Sequence, residues 1–331
     1  MNPDAAPTSA DVFAAARRLA QQAIVTPAIS NPVLNERIGA TVVIKAETLQ
    51  VGGAFKFRGA YNRLSQLDAE QRSRGVVAWS SGNHAQGVAA AAKRVGTRAV
   101  IVMPDDTPSI KIENTQRFGA GIVRYDRYSQ DREQIGRDLA REMNAIVVPP
   151  YDDPHIIAGQ GTTALELAAQ TRALLNRDLD VLMAPCGGGG LVAGCALALS
   201  AVSPSTAIYA VEPAGFDDTA RSLQSGQRES NAPGARTICD ALMPPRPGEL
   251  TFPINREHLR GGLVVSDNEV LDAIAFAWRE LKLVVEPGGC VALAALLHGK
   301  LDVRGKTVGI VLSGGNVEPA VYCEALARQP I

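Results

Sequence analysis

From residue 41 to residue 326, short apolar runs alternate with longer alanine-rich segments, and this alternation admits few folds. Strand-length runs fall at 41–45, 76–79, 99–103, 121–125, 145–148, 181–184, 207–211 and 307–312. Helical stretches fall at 11–22, 58–67, 84–95, 130–143, 162–175, 191–199, 289–297 and 318–326. Thr107-Pro108 opens a further helix to 118, and Ser266 with Glu269 forms a capping box that opens one to 281. Several of the strand runs are apolar throughout, as expected when both faces are covered. Strands separated by helices predict crossover connections and parallel sheets, an α/β protein. Residues 76–148 hold three strand–helix units and read as a small lobe. The polar, proline-rich stretch 225–252 reads as a long surface connection.

The chain has 331 residues and a formal net charge of -1, so no global field draws nucleic acid or an anionic membrane. Five cysteines without CxxC spacing argue against a disulfide framework and for a reducing compartment. No basic and apolar leader is visible at the N-terminus, and apolar runs such as 191–202 are too short to span a bilayer. A soluble cytoplasmic protein is expected.

Ligands in open parallel sheets bind beyond the carboxyl ends of the strands. Three such ends carry unusual residues. Ser80-Ser81-Gly82-Asn83-His84 precedes a helix, where it serves either as an N-cap or as an anion site. Cys186-Gly187-Gly188-Gly189-Gly190 also precedes a helix. Four glycines let the backbone approach a ligand and aim several N–H groups at one point, which favours a phosphate over a simple turn. Ser313-Gly314-Gly315-Asn316 is the third, with Asn316 as the alternative cap of the last helix. Lys56 lies between Phe55 and Phe57. Aromatic neighbours predict a desolvated amine of lowered pKa, as a Schiff-base lysine requires. The alternative is a lysine with its stem on apolar surface and its head in water. Gly188, Gly190 and Ala193 also match a dinucleotide fingerprint, with Glu212 placed as the ribose acid. Glu212 and Asp218 suit either a hard cation or solvated acids, with Asp217 or Asp218 capping a helix. The four histidines have no metal-ligand spacing, so no zinc site is expected.

Phe-Lys-Phe-Arg-Gly-Ala, Ser-Ser-Gly-Asn-His-Ala-Gln-Gly, the four-glycine loop and Ser-Gly-Gly-Asn, in this order, resemble the serine/threonine dehydratase and serine racemase family. Pro104, the stretch Ala158-Gly159-Gln160-Gly161-Thr162 and Val285-Glu286-Pro287 fit the same group. These are pyridoxal phosphate enzymes of the tryptophan-synthase-β type, fold type II. The resemblance implies two lobes, each an open, mostly parallel sheet flanked by helices. Residues 1–52 and 150–331 would form the large cofactor-binding domain, and 53–149 the small one. Lys56 would hold the cofactor covalently and act as the base at Cα. Asn83 would bond the ring hydroxyl, Gly187 to Gly190 the phosphate, and Ser313 the pyridine nitrogen. Phe55 would pack near the ring. Ser81, with Gly82, Asn83 and His84, would grip the substrate carboxylate or, as a catalytic group, lie on the face opposite Lys56. Glu212, the carbonyl of Phe216 and Asp218 match the family's divalent-cation site, for Mg2+ or a similar ion.

The implied activity is a β-hydroxy-amino-acid dehydratase, giving a keto acid and ammonia from L-threonine or L-serine. A serine racemase or a 3-hydroxyaspartate ammonia-lyase is the alternative within the family. Outside it stand a dinucleotide-binding oxidoreductase and a non-catalytic binder that keeps the fold. Asp240-Ala241 replaces the usual Asp-Gly, and Cys239 and Gly288-Gly289-Cys290 also depart from the pattern. Arg132 falls where some relatives place an arginine near the substrate's side chain, where it would pair a second carboxylate; the alternative is an exposed helix arginine. A homodimer or higher homo-oligomer is expected, and no C-terminal regulatory module.

Overall fold

The computed structural model describes residues 6–329, with Ser81, Pro108 and Arg127 excepted. Among the described residues the strands form two sheets. The strands are β1 (Ala28–Ile29), β2 (Thr41–Ala46), β3 (Val76–Trp79), β4 (Ala99–Pro104), β5 (Gly121–Tyr125), β6 (Ile146–Val147), β7 (Val181–Pro185), β8 (Ala207–Pro213), β9 (Gly261–Val265) and β10 (Thr307–Leu312). The larger sheet runs β1-β2-β10-β7-β8-β9, and the smaller runs β5-β4-β3-β6. Every pairing is parallel except β1 with β2. The α/β expectation therefore holds, with two open, mostly parallel sheets. β2, β7 and β10 are almost wholly buried, which explains their continuous apolar runs.

Several boundaries differ from the sequence reading, for physical reasons. The helix expected from residue 162 begins at Pro154, capped by Asp153, whose Oδ1 accepts from the His155 and Ile156 N–H groups. Gly159 and Gly161 obscure that first half. They sit there because neighbouring helices cross at backbone distance: a Cβ on Gly159 would lie 2.6 Å from Gly59 Cα, and one on Gly161 would overlap the Gly194 carbonyl oxygen. The helix expected from residue 58 begins at Lys56 itself. β9 escapes notice because it opens on Gly261-Gly262, poor strand formers. The stretch 225–252 is not merely a surface connection. It buries Cys239 and Leu242 and contains the 3-10 turn Asp240–Leu242. The capping box of Ser266 and Glu269 forms as expected, and its helix runs to Phe276 before a π-turn over Ala277–Leu281. Thr107 precedes the helix Ser109–Gln116, but the expected first-turn proline, Pro108, lies outside the described residues.

The carboxyl ends of β2, β3, β7 and β10 lead into the four segments singled out in the sequence. Ala54 pairs with Gly314 in an isolated antiparallel bridge, and Gly315 donates its N–H to the Gly53 carbonyl at 2.9 Å. The lysine segment is thereby stapled to the Ser313 loop. No helix among the described residues is long and apolar enough to cross a membrane.

Candidate active site

Lys56 starts the helix Lys56–Leu64 and points into a cavity between the two sheets. Its Nζ donates to the Pro150 carbonyl at 2.7 Å and lies 5.1 Å from the Phe55 ring centroid. Burial pulls its pKa down to about 8, although the nearby Glu286 carboxylate works the other way. The aromatic sandwich expected from the sequence is only half present. Phe57 is fully buried on the far side of the helix, against Tyr61 and Arg94, because consecutive helical residues point apart. The cavity wall, not Phe57, desolvates the amine.

The glycine loop ends β7 and opens the helix Gly190–Val202. Gly189 has φ 91°, and a Cβ there would lie 2.6 Å from Asn255 Nδ2; one on Gly188 would overlap the Tyr151 ring. The carbonyl oxygens of Gly188 and Gly189 accept from Thr251 Oγ1 at 2.6 Å and Asn255 Nδ2 at 3.5 Å. The N–H groups of Gly187, Gly188 and Gly190 have no acceptor among the described residues. Unpaired donors at a helix start, in a cradle that any Cβ would fill, fit a phosphate.

Asn83 opens the helix Asn83–Val95 but does not cap it; the N-cap is Gly82, which has no side chain to do so. Its Nδ2 donates to Glu286 Oε1 at 2.5 Å, and its Oδ1 accepts from Asn316 Nδ2 at 2.7 Å. Asn316 also donates to the Gly52 carbonyl and is not the cap of the last helix, which is Glu318. His84 Nε2 lies 2.9 Å from the Val148 carbonyl and so carries the proton. Burial, with the Lys56 charge nearby, depresses its pKa to about 3, so the ring is neutral. Phe55, Gly82, His84, Ser313 and the glycine loop all line the same cavity. Ser81 lies outside the described residues.

Arg132 begins the helix Arg132–Glu142 and is exposed, as the helix-arginine alternative has it, but it also reaches the cavity edge, without an ion pair among the described residues. Lys111, also in the cavity lining, pairs with Asp240 at 2.7 Å and Glu318 at 3.0 Å. The sequence gives Glu286 and Lys111 no role, and Asn316 only that of a helix cap. A lone carboxylate between Val285 and Pro287 was the one available signal, since an unpaired acid in an apolar run is rarely buried without purpose.

Glu212 and Asp218 do not line the cavity. Both Glu212 oxygens accept backbone N–H groups, from Thr219 at 2.9 Å and Ala220 at 2.8 Å. Glu212, rather than Asp217 or Asp218, thus caps the helix Asp218–Ser225, and the ribose acid of the dinucleotide reading is already engaged. Burial, with Asp218 nearby, lifts Glu212 to about 8, and burial lifts Asp218 to about 6. Asp218 Oδ2 is buried with no partner among the described residues. An orphaned oxygen beside a second buried acid suits a hard cation, although no group of three or more His, Cys, Asp or Glu side chains gathers among the described residues.

A family model described as "Pyridoxal-phosphate dependent enzyme" matches residues 7–314. The chain belongs to this family. The enzyme is 45% identical over 322 residues to an L-threo-3-hydroxyaspartate ammonia-lyase of Saccharomyces cerevisiae, with 97% of each chain covered. It is 40% identical over 322 residues to a serine racemase of Schizosaccharomyces pombe, covering 97% of this chain and 98% of the relative. Among solved structures, a T.th. threonine deaminase superposes with a TM-score of 0.88 at 40% identity, covering 94% of this chain and 99% of that one. The fold is that of the fold type II pyridoxal phosphate enzymes, as the motifs imply. Membership also overturns the oxidoreductase alternative.

Proposed function

We propose that this enzyme is an ammonia-lyase whose substrate is 3-hydroxyaspartate, a β-hydroxy amino acid with a second carboxylate. The observation that carries the reading is Arg132, a guanidinium at the cavity edge without a carboxylate partner among the described residues. Guanidinium pairs carboxylate through two parallel, charge-assisted hydrogen bonds, and serine and threonine offer no such group. The likeness to the yeast L-threo-3-hydroxyaspartate ammonia-lyase supports the same choice. It puts one of the sequence's alternatives ahead of threonine and serine.

Bound pyridoxal phosphate supplies the electron sink at Cα. Gly187 to Gly190 would hold its phosphate, Asn83 would donate to its ring oxygen, Phe55 would pack near its ring, and Ser313 would offer a hydroxyl to the pyridine nitrogen. Gly82, Asn83 and His84, with Ser81, grip the α-carboxylate at a helix start. Lys56 would hold the cofactor, and its amine would take the proton from the substrate's Cα. At a pKa of about 8 roughly one amine in ten is neutral at pH 7, against about one in three thousand for an ordinary lysine. The hydroxyl leaves Cβ with a proton as water. Hydration of the dehydrated amino acid then frees ammonia, so one hydroxyaspartate gives one four-carbon 2-keto diacid and one ammonia. Glu212, the Phe216 carbonyl and Asp218 would hold Mg2+ or a similar divalent ion. The small domain comprises residues 53–149, and the large one 1–52 and 150–331. The working form is a homo-oligomer, and free cysteines support a cytoplasmic location.

A panel of serine, threonine and hydroxyaspartate isomers, read by keto acid and ammonia release, tests this. L-threo-3-hydroxyaspartate is expected to have the highest kcat/KM. Arg132→Met is expected to lower that value about a hundredfold, the ~2–3 kcal/mol of a charge-assisted hydrogen bond, while serine changes little. Preference for serine or threonine, equal losses on all substrates, or conversion of L- to D-serine without keto acid would overturn the assignment.

A further inference from the structure

Glu286 is 4% exposed, yet it lines the cavity that holds Lys56 and Asn83. It ends the segment before the helix Pro287–Leu297, and its N–H donates to the Gly314 carbonyl at 3.0 Å. Its Oε1 accepts from Asn83 Nδ2, and its Oε2 makes no hydrogen bond among the described residues. Gly314 is required beside it, since a Cβ there would overlap Oε1.

The orientation of Asn83 is fixed from both sides. Asn316 donates to its carbonyl oxygen, so that oxygen is engaged. One hydrogen of its Nδ2 goes to Glu286, which leaves one hydrogen for the cavity. Asn83 therefore has one amide hydrogen left to donate into the cavity, and the atom that meets that hydrogen is an acceptor, the natural match being an oxyanion. An ionised Glu286 would set a second negative charge beside that oxyanion. A protonated Glu286 removes the charge and turns Oε2 into a second donor, while Oε1 still accepts from Asn83.

We infer that Glu286 is a proton-holding residue of the cofactor site: it carries a proton on Oε2 whenever the cofactor's ring oxyanion lies against Asn83. The inference rests on the cofactor reading above. The groups around Glu286 agree with it. Burial, with Asp240 from the 3-10 turn close by, lifts its carboxyl to about 7, against the pull of Asn83, of Lys111 from the helix Ser109–Gln116 and of Lys56. The neighbouring Cys239 thiol is pushed above its ordinary range by burial and stays neutral. The site is thus poised to take up a proton near neutrality, and it does so when an oxyanion arrives.

The test compares the full-length holoenzyme with Glu286→Gln, whose amide keeps an acceptor for Asn83 and a permanent donor for the cavity. Pyridoxal phosphate is released by dilution and followed by its visible absorbance from pH 6 to pH 9. Wild-type affinity is expected to fall, relative to the variant, about tenfold per pH unit above 7, because binding then requires proton uptake at Glu286. Identical pH dependence in the two proteins would overturn the inference. Should the variant fold poorly, infrared spectra of the wild-type holoenzyme at pH 8 decide: the carbonyl stretch of a protonated carboxyl is expected to weaken when the cofactor leaves, and an unchanged band contradicts. Failure of the wild type to bind the cofactor at all would instead count against the proposed function.

Discussion

At Lys56 the amine sits in a cavity wall that includes Phe55 but not Phe57, and burial there lowers its basicity. In the same cavity lining a short chain runs from Glu286 through Asn83 to Asn316 and the Gly52 carbonyl. Gly314 makes room for that chain. Gly314→Ala would drive its Cβ into Glu286 Oε1 and against Asn83 Nδ2 at 3.0 Å. Cofactor affinity is expected to fall at least tenfold, while the variant keeps wild-type circular dichroism; unchanged affinity would show that the chain does not shape the site. The residues of this site were unequally legible in the sequence. Lys56, Asn83, the glycine loop and Ser313 announce themselves by local composition at strand ends. Glu286 and Asn316 gain their roles only from partners 203 and 233 positions away, a pairing that the fold alone creates.

The helix that presents Lys56 is anchored by a buried ionic network. Arg58 bonds Glu47 through Nε and Nη2 at 2.8 and 2.7 Å, and Glu166 through Nη1 and Nη2 at 2.7 Å each. Lys45 donates to Glu166, to the Thr26 carbonyl and to Gln170. Arg58→Met would leave Glu47 buried and unpaired, which costs about 3–5 kcal/mol, measurable by urea unfolding. A loss under 1 kcal/mol would mean the network contributes little. Burial alone would raise the Glu47 pKa, but Arg58 and the hydrogen bonds from Arg58 and Thr26 more than reverse this and hold it below the ordinary carboxylate range. The stability from that depressed pKa is therefore complete at neutral pH and is lost as acid protonates the folded carboxylate. Element types were largely legible from apolar periodicity. The start of Pro154–Leu175 was not, because its glycines serve a helix crossing that only tertiary packing reveals.

On the scale of the whole molecule, the cavity closes between two sheets, and polar links span it. Asn83 reaches Glu286, and Lys111 reaches Asp240 and Glu318. The acid pair of Glu212 and Asp218 lies outside the cavity, so a cation there would act on stability before chemistry. Saturating Mg2+ is expected to raise Tm by about 2–6 °C, since a ligand that binds only the folded state stabilises it. Asp218→Asn should abolish the shift, and an equal shift in that variant would remove the cation from this site.

The proposed chemistry depends above all on a covalent bond between Lys56 and pyridoxal phosphate. Borohydride reduction of the holoenzyme, followed by digestion and mass mapping, examines that bond directly. The reduced cofactor's mass is expected on the peptide containing Lys56, and to vanish in Lys56→Ala. A label on another lysine, or an unlabelled protein that still releases ammonia from hydroxyaspartate, would contradict the account.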